Sequence, residues 1–269
     1  MFEETKKFLY KSSWLKEGSP SNKLLDKNIR LIERDKNKLE YNSDGYAYIF
    51  EYMQFFDDDS MILCTIPEFI NPLLNYFELF RNDDLFSDKS YEWLFSNLKD
   101  DAEKYGFTLH TDHENRKDYR HTVFFGTENK NDLNISKKQD NTVKFYSADN
   151  SYDMTEFDGT GFGCGALNFG TLIDNRIVSN CLNTYTDPFE NEVVDIGICT
   201  LEDYKQKGYA VSNVVSMAEY LLSETEEVKR VKEVIYTTGK WNINSQKTAK
   251  SAGLREIAKE VDFCCKRIV

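Results

Sequence analysis

Four prolines and three histidines are few for 269 residues, and no apolar run approaches the length of a membrane span. With 13 glycines and no repeat at a fixed period, collagen-like, solenoid and long coiled-coil architectures are excluded. The opening "MFEETKKFLYKSSWLKEGS" places charges where a signal peptide needs its apolar core, so a cytoplasmic chain with no membrane partner is expected. Cys64, Cys164, Cys181, Cys199, Cys264 and Cys265 are scattered or adjacent and form no C-x-x-C pair, which excludes a disulfide framework or a zinc knuckle and suggests thiols of a reducing compartment. His110, His113 and His121 cluster in "TLHTDHENRKDYRH" without a fourth ligand at a zinc-like spacing, so no metal is expected.

Positive charge is also scarce. Lys and Arg number 34 against 46 Asp and Glu, a net charge of −12, and both halves of the chain share the sign. Such a surface keeps a protein soluble and repels phosphate backbones, which disfavours a nucleic-acid partner, whereas small cationic substrates would be drawn to it. The acidic run "FDDDS" at 56–60 sits at a hairpin turn, where a solvated acid is the default and a bound cation the alternative.

What the chain has in quantity is core material: 40% hydrophobic and 14% aromatic residues are ample for one large domain or two ordinary ones. The polar stretch "TENKNDLNISKKQDN" at 127–141 reads as an exposed connector and divides the chain into domains 1–130 and 131–269. Before it, the patterns predict a helix over 29–41, strands over 46–56 and 60–66, helices over 67–82 and 89–106, and a strand over 120–126. The alternating Tyr46, Tyr48, Phe50 and Tyr52 read as a core face, with an aromatic substrate wall as the alternative.

After the connector come predicted strands at 142–147, 161–168, 176–186 and 192–200, with a short helix at 152–157 and a turn at Asp174-Asn175. A helix over 211–223, a strand over 233–238, a helix over 244–253 ending at Gly253 and a last strand over 261–269 follow. The order predicts an α/β (α+β) chain whose second half is an antiparallel sheet with a crossover helix rather than a doubly wound fold.

One loop asks for a reason. "TLEDYKQKGYAVSN", 200–213, places Lys205, Gln206 and Lys207 before Gly208, directly after a strand and directly before a helix. The first amides of a helix lack intrahelical partners and carry positive potential, so an anion fits there; Gly208 and the small Ala210 would let it approach the backbone. Beyond this, Lys205-x-x-Gly208-x-Ala210 after a strand resembles the acetyl-coenzyme A loop of the GNAT N-acetyltransferases, with Lys in the place of Arg or Gln. "WNINSQKTAKSAGL" resembles a second segment of that family through Asn242, Ser245, Gly253 and Leu254.

The resemblance is to a bacterial subgroup with an extra N-terminal region, and covers roughly residues 140–265. It implies a GNAT-like mixed, mostly antiparallel sheet flanked by helices, preceded by a smaller α/β domain that completes the acceptor cleft. It also implies acetyl-CoA as cosubstrate. Ile198, Cys199 and Thr200 would lie beside the pantetheine, and Lys205, Gln206, Lys207, Gly208, Tyr209 and Ala210 around the pyrophosphate. Asn242 and Ser245 would touch the cosubstrate or cap a helix, roles for which Asn and Ser suit equally.

The implied reaction is acetyl transfer to the amine of a small cationic acceptor by a monomer or homodimer, which requires a base because a free amine is protonated near neutrality. Asp195 is the first candidate, on the β-face shared with Gly197 and Cys199, and Glu192 the second. Ala249 stands where many members carry a tyrosine that serves the leaving thiolate. An inactive coenzyme-binding sensor or scaffold is the alternative, and a transfer-RNA-dependent aminoacyl transferase is disfavoured by the charge.

Overall fold

The computed structural model describes residues 2–11, 19–26, 28–39, 41, 45–80, 85–110, 120–146, 152–163, 165–184 and 186–268. In chain order the first part holds α1 (Glu3–Lys11), β1 (Ser19–Asp26), β2 (Ile29–Glu33), β3 (Tyr46–Phe55), β4 (Met61–Thr65), α2 (Ile70–Phe80), α3 (Asp88–Lys104), β5 (Phe107–His110) and β6 (Arg120–Thr127). The second part holds β7 (Thr142–Tyr146), β8 (Leu167–Ile173), β9 (Arg176–Asn183), β10 (Val193–Thr200), α4 (Tyr209–Leu221), β11 (Glu233–Gly239), α5 (Ile243–Ala252) and β12 (Arg255–Arg267).

Two compact units share these elements, and they interleave. The N-terminal unit is 9–122 with 258–269, and the C-terminal unit is 123–257 with 1–8. A single cut near residue 130 is therefore replaced by exchanges at both chain ends. The first eight residues join the C-terminal unit for a local reason: the buried Glu233 carboxylate accepts the amides of Glu4 at 3.1 Å and Thr5 at 2.7 Å, filling the N-terminal donors of α1.

In the N-terminal unit the strand order is β1-β2-β4-β3-β12, with β5 also on β12. β2 and β4 are parallel and the remaining described pairs antiparallel. Where a helix was expected over 29–41, Ile29–Glu33 form β2 and Lys36–Lys38 a short 3-10 turn. The charged run looks helical by spacing, but Leu31 and Ile32 are both buried and Ile29–Glu33 pairs with Met61–Thr65, so burial on both sides of the strand outweighs periodicity. The expected helices over 67–82 and 89–106 are α2 and α3, which bury Leu73, Tyr76, Tyr91, Leu94 and Leu98 with Phe50, Tyr52 and Phe263 of the sheet. Phe50 and Tyr52 are thus core; the Tyr52 and Tyr76 hydroxyls meet at 2.8 Å and both reach the Leu85 carbonyl.

The C-terminal unit orders its strands β6-β11-β10-β9-β8-β7. The β7–β8, β8–β9 and β9–β10 pairs are antiparallel, and α4 carries the chain over to β11, parallel to β10. Asp174 and Asn175, with φ of 48° and 63°, make the two-residue hairpin turn expected between β8 and β9. The strand expected over 161–168 begins only at Leu167, because the preceding stretch is rich in glycine and Gly161 turns at φ 77°. Val214, Val215, Ala218 and Leu221 of α4 pack with Val194 and Ile196 of β10, Val234 of β11 and Ala249 of α5 in one buried cluster.

The polar stretch 127–141 is exposed for the most part, yet docked. Asn134 donates its amide to the Ala252 carbonyl at 3.0 Å, and Gly253, at φ 98°, lies so close that a Cβ there would stand 2.2 Å from the Asp132 carbonyl oxygen. Surface position explains its composition; hydrogen bonds to the end of α5 fix its course.

Candidate functional site

The site begins where two strands part. β10 pairs with β11 from Val193 to Ile196, the last partners being Ile196 and Tyr236, whereas it pairs with β9 from Ile196 to Thr200. Past Ile196, one edge of β10 has no strand partner among the described residues. The Thr184 amide donates to the Asp195 carbonyl and the Leu201 amide to the Val178 carbonyl, so the odd-numbered residues face β9. Alternation then turns the amides of Ile198 and Thr200 toward the gap.

At the open end of this gap the loop of 201–208 starts α4. Gln206 has φ 62° and Gly208 φ 82°, a kinked course that turns successive amides inward. The first intrahelical bond runs from Ser212 to the Gly208 carbonyl, and Gly208 contributes no side-chain cap. No oxygen of the described residues accepts the amides of Tyr209, Ala210 or Val211. The φ of 82° is what calls for glycine at 208; the nearest atom to a Cβ there, Gln139 Nε2 at 2.9 Å, is the end of a flexible side chain.

Both features open into one cavity of about 440 Å3. Ile198, Cys199, Thr200, Lys205, Gln206, Gly208, Tyr209, Ala210, Asn242 and Ser245 all line it, so two sequence segments some forty residues apart are brought together. Lys207 does not line it: its ammonium donates to the Asp203 carbonyl at 2.9 Å and lies 4.8 Å from the Tyr204 ring. Lys205 is at the rim, paired with Glu202. Burial pushes the Cys199 thiol up, which keeps it neutral.

Asn242 takes both roles open to it. Its side chain accepts the Ser245 amide at 3.2 Å, capping α5, while lining the cavity. Ser245 Oγ lies 2.6 Å from the Tyr236 hydroxyl, which burial holds above the ordinary phenol range. Tyr236 and Thr248 are cavity residues that sequence reasoning did not single out. Thr248 could have been found one helical turn after Asn244 and Ser245, but Tyr236 becomes visible only when the strand register shows where pairing stops.

The two candidate acids lie far apart in character. Glu192 precedes β10 at the paired end, is exposed and binds Lys232; it is outside the cavity. Asp195 is 3% exposed, on the sheet face opposite α4, and does not line the cavity either. Its Oδ2 accepts from Thr184 Oγ1 at 2.7 Å and Thr237 Oγ1 at 3.4 Å, whereas Oδ1 has no partner. Burial raises its pKa to about 7, only partly opposed by the Thr184 and Thr237 hydroxyls and by the nearby backbone amides of Thr237 and Ile196. Such a carboxyl exchanges a proton near neutrality. Ala249 is fully buried between α5 and the sheet.

Among the described residues no three His, Cys, Asp or Glu side chains gather as a metal site would need. His113 and the side chain of His110 lie outside the described residues, and His121 Nδ1 is 2.9 Å from the Tyr91 hydroxyl. Cys164 also lies outside them, and the other five cysteines are free thiols. No described helix is long and apolar enough to cross a membrane.

No family model and no curated protein matches this chain. Solved structures similar to it include an acetyltransferase of the GNAT family from Colwellia psychrerythraea, at 12% identity and TM-score 0.41, with 81% of each chain covered. A GCN5-related N-acetyltransferase from Sphaerobacter thermophilus, at 12% identity and TM-score 0.41, covers 86% of this chain and 80% of its own. A tandem GNAT protein from the clavulanic acid biosynthesis pathway, without AcCoA, reaches 10% identity and TM-score 0.34 over 66% of this chain and 70% of its own. The fold stands on strand order, pairing and the parted strands rather than on these distant likenesses. In fold class the chain is what its resemblance to the GNAT N-acetyltransferases implies: a mixed, mostly antiparallel sheet flanked by helices, with the quoted loop at the open end of the β10–β11 pair.

Proposed function

We propose that this protein is an acetyl-CoA-dependent N-acetyltransferase acting on a small, cationic amine. One observation carries the reading: the free edge of β10 and the unpartnered amides that open α4 face the same cavity. A peptide-like pantetheine arm can pair with a strand edge, and a diphosphate with helix N-terminal amides; one molecule containing both in series is coenzyme A.

The residues divide the work accordingly. Gln206, Gly208, Tyr209 and Ala210 would hold the diphosphate through backbone amides, with Lys205 and Lys207 adding charge near the loop. Ile198 and Thr200 would pair with the pantetheine, and an amide of this edge would bear charge developing on the thioester oxygen. Asp195 would take a proton from the acceptor ammonium, for which a pKa of about 7 is well matched. The Tyr236 hydroxyl, backed by Ser245, would donate a hydrogen bond toward the departing sulfur, which accounts for an alanine at 249.

Titration calorimetry with acetyl-CoA, followed by thiol release against a panel of small amines, tests this. Heat and thiol release are expected together. Heat without release from any amine would favour the inactive sensor, and no heat would remove the coenzyme reading altogether.

A further inference from the structure

The carboxylate of Asp195 is shut in by named groups. Val193, its neighbour on one side along the same face of β10, is buried. Thr186 accepts the Asp195 amide at 2.9 Å, Thr237 stands on β11, and Thr184 on the β9 side holds Oδ2. On the remaining side comes Gly197, which brings no side chain and so leaves a slot over the strand.

Phe162 occupies that slot. A Cβ built on Gly197 would lie 2.9 Å from Phe162 Cε1 and 2.8 Å from Thr184 Cγ2, so the strand has no room there for one more carbon. The ring is held by construction. The Phe162 amide donates to Thr160 Oγ1 at 3.0 Å, that hydroxyl donates to the carbonyl of the fully buried Phe157 at 2.7 Å, and Asn180 Nδ2 donates to the Phe162 carbonyl at 3.0 Å.

Exposure shows the way in. Phe162, Thr184 and Gly197 are half-buried, whereas Asp195 is sealed. Gly197 is also the first residue of β10 beyond its last β11 partner. Among the described residues beside Asp195 on its face of β10, Gly197 alone brings no side chain, and the line from the free β10 edge to Oδ1 runs over it, against the Phe162 ring.

We propose that Phe162 selects the acceptor, admitting unbranched primary amines that reach Asp195 end-on and rejecting amines branched at the carbon that bears the nitrogen. The proposal rests on the acetyltransferase reading and adds the acceptor class to it. A methylene chain displaces the ring least, while an extra methyl on the first carbon collides with the ring or the Thr184 methyl at the narrowest point.

The test compares n-butylamine with sec-butylamine and benzylamine with α-methylbenzylamine in wild type, Phe162→Ala and Phe162→Leu, by thiol release, with acetyl-CoA calorimetry on the same proteins. In wild type kcat/KM is expected to favour the unbranched partner of each pair by about tenfold or more. Phe162→Ala should bring the ratio toward one by gaining on the branched amines, with Phe162→Leu between, while coenzyme affinity stays as in wild type. A ratio near one in wild type, or the same ratio after Phe162→Ala, overturns the proposal. Turnover of other amines of the panel but of neither unbranched amine overturns it as well, whereas coenzyme binding without release from any amine is the failure of the acetyltransferase reading. Loss of coenzyme binding in wild type is likewise a failure of that reading.

Discussion

Asp195 joins a stability cost to the chemical use proposed for it. Its carboxyl, near 3.8 when free, holds its proton up to about 7 in the folded chain because burial penalises the charge. Between those values the folded state binds one proton more than the unfolded state, so this group's contribution to stability is full below the lower value and is lost as pH rises through the higher. Asp195→Asn is therefore expected to stabilise the protein at pH 8 by an amount on the order of 4 kcal/mol at most, with the gap closing toward pH 4. Chemical denaturation at the two pH values checks it. If Asp195 is the base of the proposed reaction, the same substitution should cut kcat, and wild-type kcat/KM should rise with pH through about 7 as the carboxyl loses its proton. The acid could be placed on β10 by its position in the sequence, but not its environment: the threonines around it come from positions 184, 186 and 237.

Among the elements, α4 and α5 show how far local chemistry reaches. The end of α5 at Gly253 could be read directly, because a positive φ, 98° here, is where glycine belongs, whereas α4 starts at Tyr209, behind Gly208 at φ 82°, two residues before the expected start at 211. What could not be read is that Gly253 serves the neighbouring segment as well. A Cβ there would press on the backbone of Asp132, Leu133 and Asn134, at 2.2 to 3.0 Å. Gly253→Ala is thus expected to cost well over the roughly 1 kcal/mol typical of a helix-terminal glycine, and to raise hydrogen exchange in 130–138 together with that of the last turn of α5. A uniform rise across the C-terminal unit, or none, would argue against this coupling. β2 teaches the opposite lesson: its run of alternating charges fits a helix, and pairing with β1 and β4 on either side makes it a strand.

At the scale of the whole molecule, interleaving changes what can be cut. β6 supplies Val123 and Phe125 to the C-terminal core and lies beside β11 in its sheet, and Glu233 of β11 holds the start of α1. A fragment of residues 131–269 lacks both and leaves one edge of β11 bare. Such a fragment is expected to lose near-ultraviolet circular dichroism and to aggregate in gel filtration, whereas the full chain does neither; a folded, monomeric fragment would show that β6 and the first eight residues are dispensable. The net charge of −12 acts at this scale too, giving the surface a potential that attracts cations of any kind.

The amino-acid sequence alone determined most elements, the hairpin at Asp174-Asn175 and the amide-presenting loop, because each depends on neighbours within a few residues: hydrophobic period, a glycine at positive φ, a cap. Tertiary structure alone decided which strands part beyond Ile196, that Tyr236 stands at that point, that Glu192 is left outside, that Phe162 covers Gly197 and that the chain ends change units. These depend on strand register and on contacts between distant segments. Register is a property of pairs of strands, and no single stretch of sequence carries it.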